Sequence, residues 1–248
     1  MEAVVERLLE QHYGLTEQNR WAHDSFYDSI LATVEHSPSN ILNVGAGPTP
    51  GAERRLRERV NHLVGVDIDP AVLDNQDLDE AYVTDGIHLP FADQQFDGAY
   101  SDWVLEHVEY PAPFLREIYR VLKPGAHFVF RTPNRRHYVS LVAAYTPQWL
   151  HELVGNRVRG YSSEAHDPWP THYRMNDPKA IHRELLAAGF NVCEIKMIEP
   201  YPGYLLFHPV AFILGVTYER TVNRSAALAG LRHTIWANAM RPTQELPA

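Results

Sequence analysis

The sequence predicts an α/β fold: a doubly wound sheet of about seven strands, with helices on both faces and the last strand antiparallel. Three observations predict it. Short apolar runs alternate with helical ones from about residue 40 to residue 131, the pattern of a parallel sheet covered on both sides. The first run opens into a glycine turn, Asn43-Val44-Gly45-Ala46-Gly47-Pro48-Thr49-Pro50-Gly51. The second run ends in a carboxylate, Asp67, about 20 residues after Gly47.

The elements follow in order. Residues 2 to 36 read as helical, with Val4, Val5, Leu8 and Leu9 on one face and Ile30, Leu31 and Val34 on another. Ser37-Pro38-Ser39-Asn40 breaks that pattern. Strands are expected at 41–44, 63–66, 81–84 and 96–101. A short basic helix is expected at 52–60 and a longer one at 112–122. Lys123-Pro124-Gly125 should stop the latter, before a fifth strand at 127–131. Residues 133 to 176 are rich in aromatics, prolines and histidines and show no clean period. A helix is expected at 177–188, capped by Asp177 or Asn176 with Pro178 near its first position and Gly189 at its stop. A sixth strand follows at 190–197, helical residues at 204–230, and a last strand at 234–240. The domain reading is a helical cap at 1–38 and one domain at 39–248. Insertions at about 133–176 and 199–232 are too long for simple connections and are expected to recognise substrate.

Composition narrows the function. The chain has 248 residues, 45% of them hydrophobic, enough to bury a proper core. Its net charge of −9 disfavours nucleic acid as a partner. A single cysteine, Cys193, excludes an internal disulfide and argues against structural zinc. No pair of histidines has metal-ligand spacing backed by a second pair, so no metal is expected. The start, Met-Glu-Ala-Val-Val-Glu-Arg, lacks the features of a signal peptide, and a cytoplasmic location is expected. The longest apolar stretch, 204–216, is too short to span a bilayer. It reads either as a buried helix or as an interfacial one that makes peripheral contact with a membrane.

Glycines at a strand-to-helix turn let the backbone bend sharply and approach a ligand. A carboxylate at the next strand end can accept both hydroxyls of a ribose. Together they indicate a nucleoside-containing cofactor across the strand ends. A pyrophosphate would need backbone N–H donors, and Pro48 and Pro50 have none. Gly45, Gly47 and Gly51 also miss the strict G-x-G-x-x-G spacing. The cofactor is therefore expected to carry no phosphate.

The following motifs extend the pattern: Val83-Thr84-Asp85-Gly86-Ile87, Phe96-Asp97, Asp102-Trp103-Val104-Leu105-Glu106-His107-Val108, Arg120-Val121-Leu122-Lys123-Pro124-Gly125 and Arg131-Thr132-Pro133-Asn134. In this order and spacing the series resembles the class I S-adenosylmethionine methyltransferases, with their Rossmann-like sheet. The likeness is to the small-molecule branch acting on quinones, sterols and sugars, and it covers about residues 40 to 135. The resemblance implies that S-adenosyl-L-methionine is the cofactor. It implies that the backbone of Gly45, Ala46 and Gly47 packs on the methionine part and that Asp67 holds the ribose hydroxyls. Ile68 would lie on the adenine, Asp85 would accept from its amino group, and Gly86 and Ile87 would flank the ring. Ser101 and Trp103 would line the sulfonium side, with His107 close by. The chain departs from the pattern at Asn43, where an acidic residue is usual, and at Thr49, where a glycine is usual. Asn43 can still hydrogen-bond but brings no charge to the cofactor's ammonium.

A hydroxyl acceptor profits from a base, and His107, His137 and His172 are the candidates. They fall in the motif loop, after the fifth strand and in the first insertion. The expected reaction is methyl transfer, by preference to oxygen, on a small or lipid- or glycan-linked molecule. Two other readings stand beside it: a non-catalytic adenosylmethionine-binding partner subunit, and an NAD(P)-dependent oxidoreductase, against which Pro48 and Pro50 argue. Tyr119-x-x-x-Lys123 matches a dehydrogenase pair but sits at a helix end, the wrong place for one. Arg54, Arg55, Arg57 and Arg59 read as a solvated helix face among Glu53 and Glu58.

Overall fold

The structure is a computed structural model. It describes residues 2–14, 25–34, 39–48, 56–145 and 169–243. Seven strands form one sheet: β1 (Asn40–Val44), β2 (His62–Asp67), β3 (Glu80–Val83), β4 (Phe96–Asp102), β5 (Leu122–Pro133), β6 (Asn191–Ile198) and β7 (Thr234–Met240). Their order is β3-β2-β1-β4-β5-β7-β6. The pairs from β3 through β5 are parallel. β7 runs the other way beside β5. Gly125 N–H donates to Arg241 O and Arg241 N–H to Ala126 O, each at 2.8 Å, two residues against one as in a bulged antiparallel pair. The expected doubly wound sheet of about seven strands, antiparallel at its end, is the fold observed.

The described helices are α1 (Glu2–Tyr13), α2 (Ser25–Leu31), α3 (Pro111–Val121), α4 (Tyr138–Tyr145), α5 (Pro178–Ala187) and α6 (Pro209–Arg224). Of the helical stretch expected over 2–36 the structure shows α1 and α2; residues 15–24 and 35–38 lie outside the described residues. Of the basic helix expected at 52–60, Leu56 and Arg57 are helical and residues 58–60 already turn away, so it ends earlier than expected; residues 49–55 lie outside the described residues. Asp177 caps α5 as expected, accepting from Lys179 N–H and Ala180 N–H. The helix expected over 204–230 is confined to α6. Pro209 holds its first turn, and the His208 side chain caps it by accepting from Val210 N–H. Single 3-10 segments at Gly203–Leu205 and Ala226–Leu231 flank it. β5 begins earlier than expected, directly at the end of α3. Phe96 pairs with Leu122 and Gly98 with His127, so residues 123–126 bulge out of the ladder with β4; Pro124 has no N–H to give there, while Gly125 still donates across to Arg241, just past β7.

Two compact units emerge. One comprises Asp24–Thr132, Thr171–Lys196 and Trp236–Ala248 and carries the sheet. On one sheet face Phe26, Tyr27 and Ile30 of α2 pack against Ile41, Leu63, Tyr100 and Val129. Alternation along β5 turns Phe128 and Phe130 to the opposite face, where Phe128 meets Phe190 and Phe190 meets Tyr119 of α3. The other unit comprises Met1–His23, Pro133–Pro170 and Met197–Ile235. Leu9 of α1 packs there against Phe212 and Val216 of α6. The opposite side of the same stretch leaves Phe207, Val210, Ile213 and Leu214 exposed. α6 is therefore buried along one stripe and apolar to solvent along another. Residues 146–168 of the first insertion lie outside the described residues.

Arg241 secures the junction of α3 and β5. It is buried, its Nη1 donates to the carbonyls of Tyr119, Arg120 and Leu122, and its guanidinium lies 4.5 Å from the Tyr119 ring centre. These carbonyls end a helix, where a cation is favoured. Arg241→Met should leave them without that donor and cost about 2–4 kcal/mol. A lowered midpoint of urea unfolding is the expected result.

Candidate functional site

The predicted residues of the glycine turn and the next strand end meet closely. Gly45 and Gly47 have φ of 84° and 60°, the left-handed region open to glycine. A Cβ on Gly45 would lie 2.3 Å from Val104 Cγ2, so the position excludes any side chain. Gly45 N–H and Ala46 N–H both donate to Val66 O. Gly47 N–H donates to Asp67 Oδ2 at 2.8 Å, and Asp69 N–H to Asp67 Oδ1 at 2.9 Å. Asn75 steadies the turn from the far side, its Nδ2 donating to Gly47 O. Around Gly47 a Cβ would meet nothing within 4 Å among the described residues. Asn43 is buried in β1, and its Oδ1 has no hydrogen-bond partner among the described residues.

The third strand end adds a second wall. Ile68 is 44% exposed, and its Cγ2 comes within 3.1 Å of where a Cβ on Gly86 would lie. Gly86, at φ 79°, supplies the space for it. Asp85 is engaged: Oδ1 accepts from Ile87 N–H and His88 N–H, and Oδ2 meets His88 Nδ1 at 2.6 Å. His88 first, and then the two backbone donors, hold the Asp85 carboxyl well below the usual carboxylate range. The same pairing raises His88.

At the end of β4, Ser101 is fully buried and donates to Val44 O at 2.9 Å, joining β4 to the strand that leads into the glycine turn. Trp103 adopts φ 57°, uncommon for a bulky residue and costly by about 1–2 kcal/mol. Its N–H donates to Arg131 O. The Arg131 guanidinium lies 5.4 Å from the Trp103 ring centre and 4.7 Å from that of Phe26. Asp102 holds this arginine in a two-pronged pair and also accepts from Tyr27 OH. Tyr27, Asp102 and Arg131 thus support the backbone that carries Trp103.

The three candidate histidines separate. His107 lies in the turn Leu105–His107, and His172 N–H donates to Glu106 O at 2.7 Å. His107 and His172 therefore flank one residue, Glu106. His137 belongs to the other unit. Its ring is buried there, with Nε2 3.3 Å from Glu199 Oε1 and its centre 4.7 Å from that of His233. Glu199 also accepts His233 N–H at 2.6 Å. Burial, with the nearby His137, pushes His233 down to about 3.

Glu106 is the residue that sequence reasoning passed over. It stands inside the quoted motif, but only the fold shows that it is buried. Its Oε2 accepts from Thr132 Oγ1 at 3.1 Å, and Thr132 Oγ1 accepts in turn from Asn176 Nδ2 at 2.7 Å. Burial pushes the Glu106 carboxyl up to about 7, with the Asp102 charge adding to the rise; its own backbone N–H and Thr132 oppose it.

Comparison with known proteins falls on this same stretch. Residues 42–130 match the family model described as a methyltransferase domain. The chain is 31% identical over 166 residues to a demethylmenaquinone methyltransferase of Clavibacter sepedonicus, covering 60% of this chain and 64% of that protein. It is 30% identical over 170 residues to a malonyl-[acyl-carrier protein] O-methyltransferase of Halorhodospira halophila, covering 64% and 51%. The chain thus spans about half to just under two thirds of the length of these relatives. A geranyl diphosphate C-methyltransferase from Streptomyces coelicolor A3(2), solved with Mg2+, geranyl diphosphate and S-adenosyl-L-homocysteine, shares the fold. Its TM-score is 0.53 at 14% identity, over 87% of this chain and 78% of that one. The match places a methyltransferase domain over residues 42–130, the stretch that holds the glycine turn, Asp67, Trp103 and Glu106.

The Glu106 carboxyl ionises higher in the fold than in the unfolded chain. The unfolded state then holds fewer protons between about pH 4.5 and 7, so stability falls as pH rises through that window. From this group alone the loss is about 2–3 kcal/mol. Glu106→Gln should remove it, so the variant gains on the wild type between pH 5 and pH 8. Urea unfolding at the two pH values measures the difference.

Proposed function

We propose that the chain transfers the methyl group of S-adenosylmethionine to an oxygen atom of a small-molecule or lipid- or glycan-linked acceptor. The observation that carries the reading is the turn at Gly45–Gly47 locked onto Asp67. In this assignment the Gly45, Ala46 and Gly47 backbone faces the methionine part. The orphan Oδ1 of Asn43 is an acceptor suited to an ammonium donor. Each Asp67 oxygen takes one backbone N–H and keeps further lone-pair capacity for a ribose hydroxyl. Ile68, Gly86 and Ile87 flank the adenine, Asp85 meets its amino edge, and Ser101 and Trp103 stand on the sulfonium side.

When bound, the cofactor supplies a methyl group made electrophilic by its sulfonium. The chain's own residues must then align the acceptor, keep water out and receive a proton. Trp103, fixed by Arg131, offers an apolar wall for alignment. His107 and His172 are the favoured proton acceptors, because both adjoin Glu106 at the strand ends. His137 is disfavoured, since its ring is buried against Glu199. The relatives named for demethylmenaquinone and for malonyl-acyl carrier protein support a small or carrier-linked acceptor. The exposed apolar stripe of α6 favours a lipid-linked one and peripheral membrane contact through 204–216. Co-sedimentation with phospholipid vesicles checks that contact, and a chain that stays in the supernatant would refute it. Among the described residues no helix is long and apolar enough to cross a membrane.

Calorimetric titration with S-adenosylhomocysteine, alongside NADH and NADPH, tests the cofactor assignment. Only the homocysteine product should bind, and Asp67→Ala should weaken it by about tenfold or more, roughly 1.4 kcal/mol. Binding of a nicotinamide cofactor instead would overturn the reading. Product binding without labelled-methyl transfer to any hydroxylated acceptor would favour the non-catalytic subunit.

A further inference from the structure

Methyl transfer as described leaves Glu106 without a task. Its side chain is 9% exposed, whereas that of its neighbour His107 is 31% exposed. His107 Nε2 stands 4.0 Å from Glu106 Oε1. Two residues earlier, Val104 packs on Gly45, so this turn lies directly on the glycine loop. On its other side, Thr132 at the end of β5 donates to Glu106 Oε2. Main-chain bonds from His172 and Tyr173 to Glu106 O fix the backbone. A buried carboxylate therefore adjoins a partly exposed imidazole at the C-terminal edge of β4 and β5, where doubly wound sheets bind their ligands.

A buried carboxylate is costly unless it is paired or protonated. Thr132 and the residue's own backbone N–H satisfy Glu106 only in part. Among the described residues the charged groups beside it are Asp102, already paired with Arg131, and, 4.0 Å away, His107; Thr132 and Asn176 are neutral. A positive charge on His107 is thus the nearby change that would favour the ionised form.

We propose that Glu106 and His107 form an acid–base pair, with His107 taking the acceptor's proton and Glu106 acting as the positioning residue that orients its ring and stabilises the imidazolium. The inference rests on the methyl-transfer reading above. The acceptor's O–H bond breaks as its proton passes to the His107 ring, and the acceptor oxygen forms the new bond to the methyl carbon. The carbon–sulfur bond breaks with its electron pair left on sulfur. The positive charge lost from sulfur reappears on His107, beside the Glu106 carboxylate.

The test needs no identified acceptor. Histidine-labelled full chain is titrated by NMR, with the His107 signal assigned by its loss in His107→Gln. The pair should titrate in coupled steps, and Glu106→Gln should lower the upper His107 midpoint by about one pH unit. S-adenosylhomocysteine affinity should stay within about threefold of wild type. An unchanged His107 midpoint in folded Glu106→Gln overturns the pair. Should that variant fail to fold, Glu106→Asp withdraws the charge by one methylene and should lower the midpoint part-way; no change there overturns it equally. If the wild type binds no S-adenosylhomocysteine, the methyl-transfer reading fails, while the His107 midpoint still decides whether the pair exists.

Discussion

The site depends on one close approach: the backbone of Gly45 against Val104. A Cβ at Gly45 would come within 2.3 Å of the valine methyl, and the residue's φ of 84° suits glycine. That approach seats the loop after β4 on the exit of β1. The hydrogen bonds from Gly45 and Ala46 to Val66 O, and from Gly47 to Asp67, tie the same turn to the end of β2. Three strand ends are thereby gathered around one stretch of main chain. The Ser101 hydroxyl on Val44 O closes the arrangement from beneath.

Strain and charge are placed around this turn in a consistent way. Trp103 sits in a left-handed conformation, and the residues that hold it there are buried or half-buried: Arg131, Asp102, Tyr27 and Phe26. Local strain of this kind persists only where the surroundings over-determine it. Glu106 follows three residues later, with its carboxyl pushed to about 7 by burial. A rigid turn and a titratable group on adjoining segments provide two things methyl transfer needs, a fixed geometry and a place for a proton.

Much of this was legible in the sequence. The glycine turn, Asp67 and the alternation of apolar and helical runs specify the sheet, because glycine spacing and hydrophobic period are local signals. Asp177 as a helix cap was legible for the same reason. The early start of β5 was not, since a proline and a glycine read as a stop unless the bulge that accommodates them is known. Nor was the confinement of α6, where His208 and Pro209 make a cap in the midst of an apolar run. The histidines show the limit most clearly. His107, His137 and His172 look alike in sequence, yet two flank Glu106 and the third is buried beside Glu199 in another unit. Burial and long-range partners decide between them, and those arise only from tertiary packing. Asn75 and Arg241 went unremarked for that reason, since their partners lie 28 and about 120 positions away.

The central claim is that the Gly45–Gly47 turn and Asp67 together hold an adenosyl cofactor. A crystal structure of the chain with S-adenosylhomocysteine tests it most directly. The account predicts the ribose hydroxyls on Asp67, the adenine between Ile68 and Gly86, and the sulfur on the Trp103 side of Gly45. A ligand bound elsewhere, with Asp67 still joined only to Gly47 and Asp69, would contradict it.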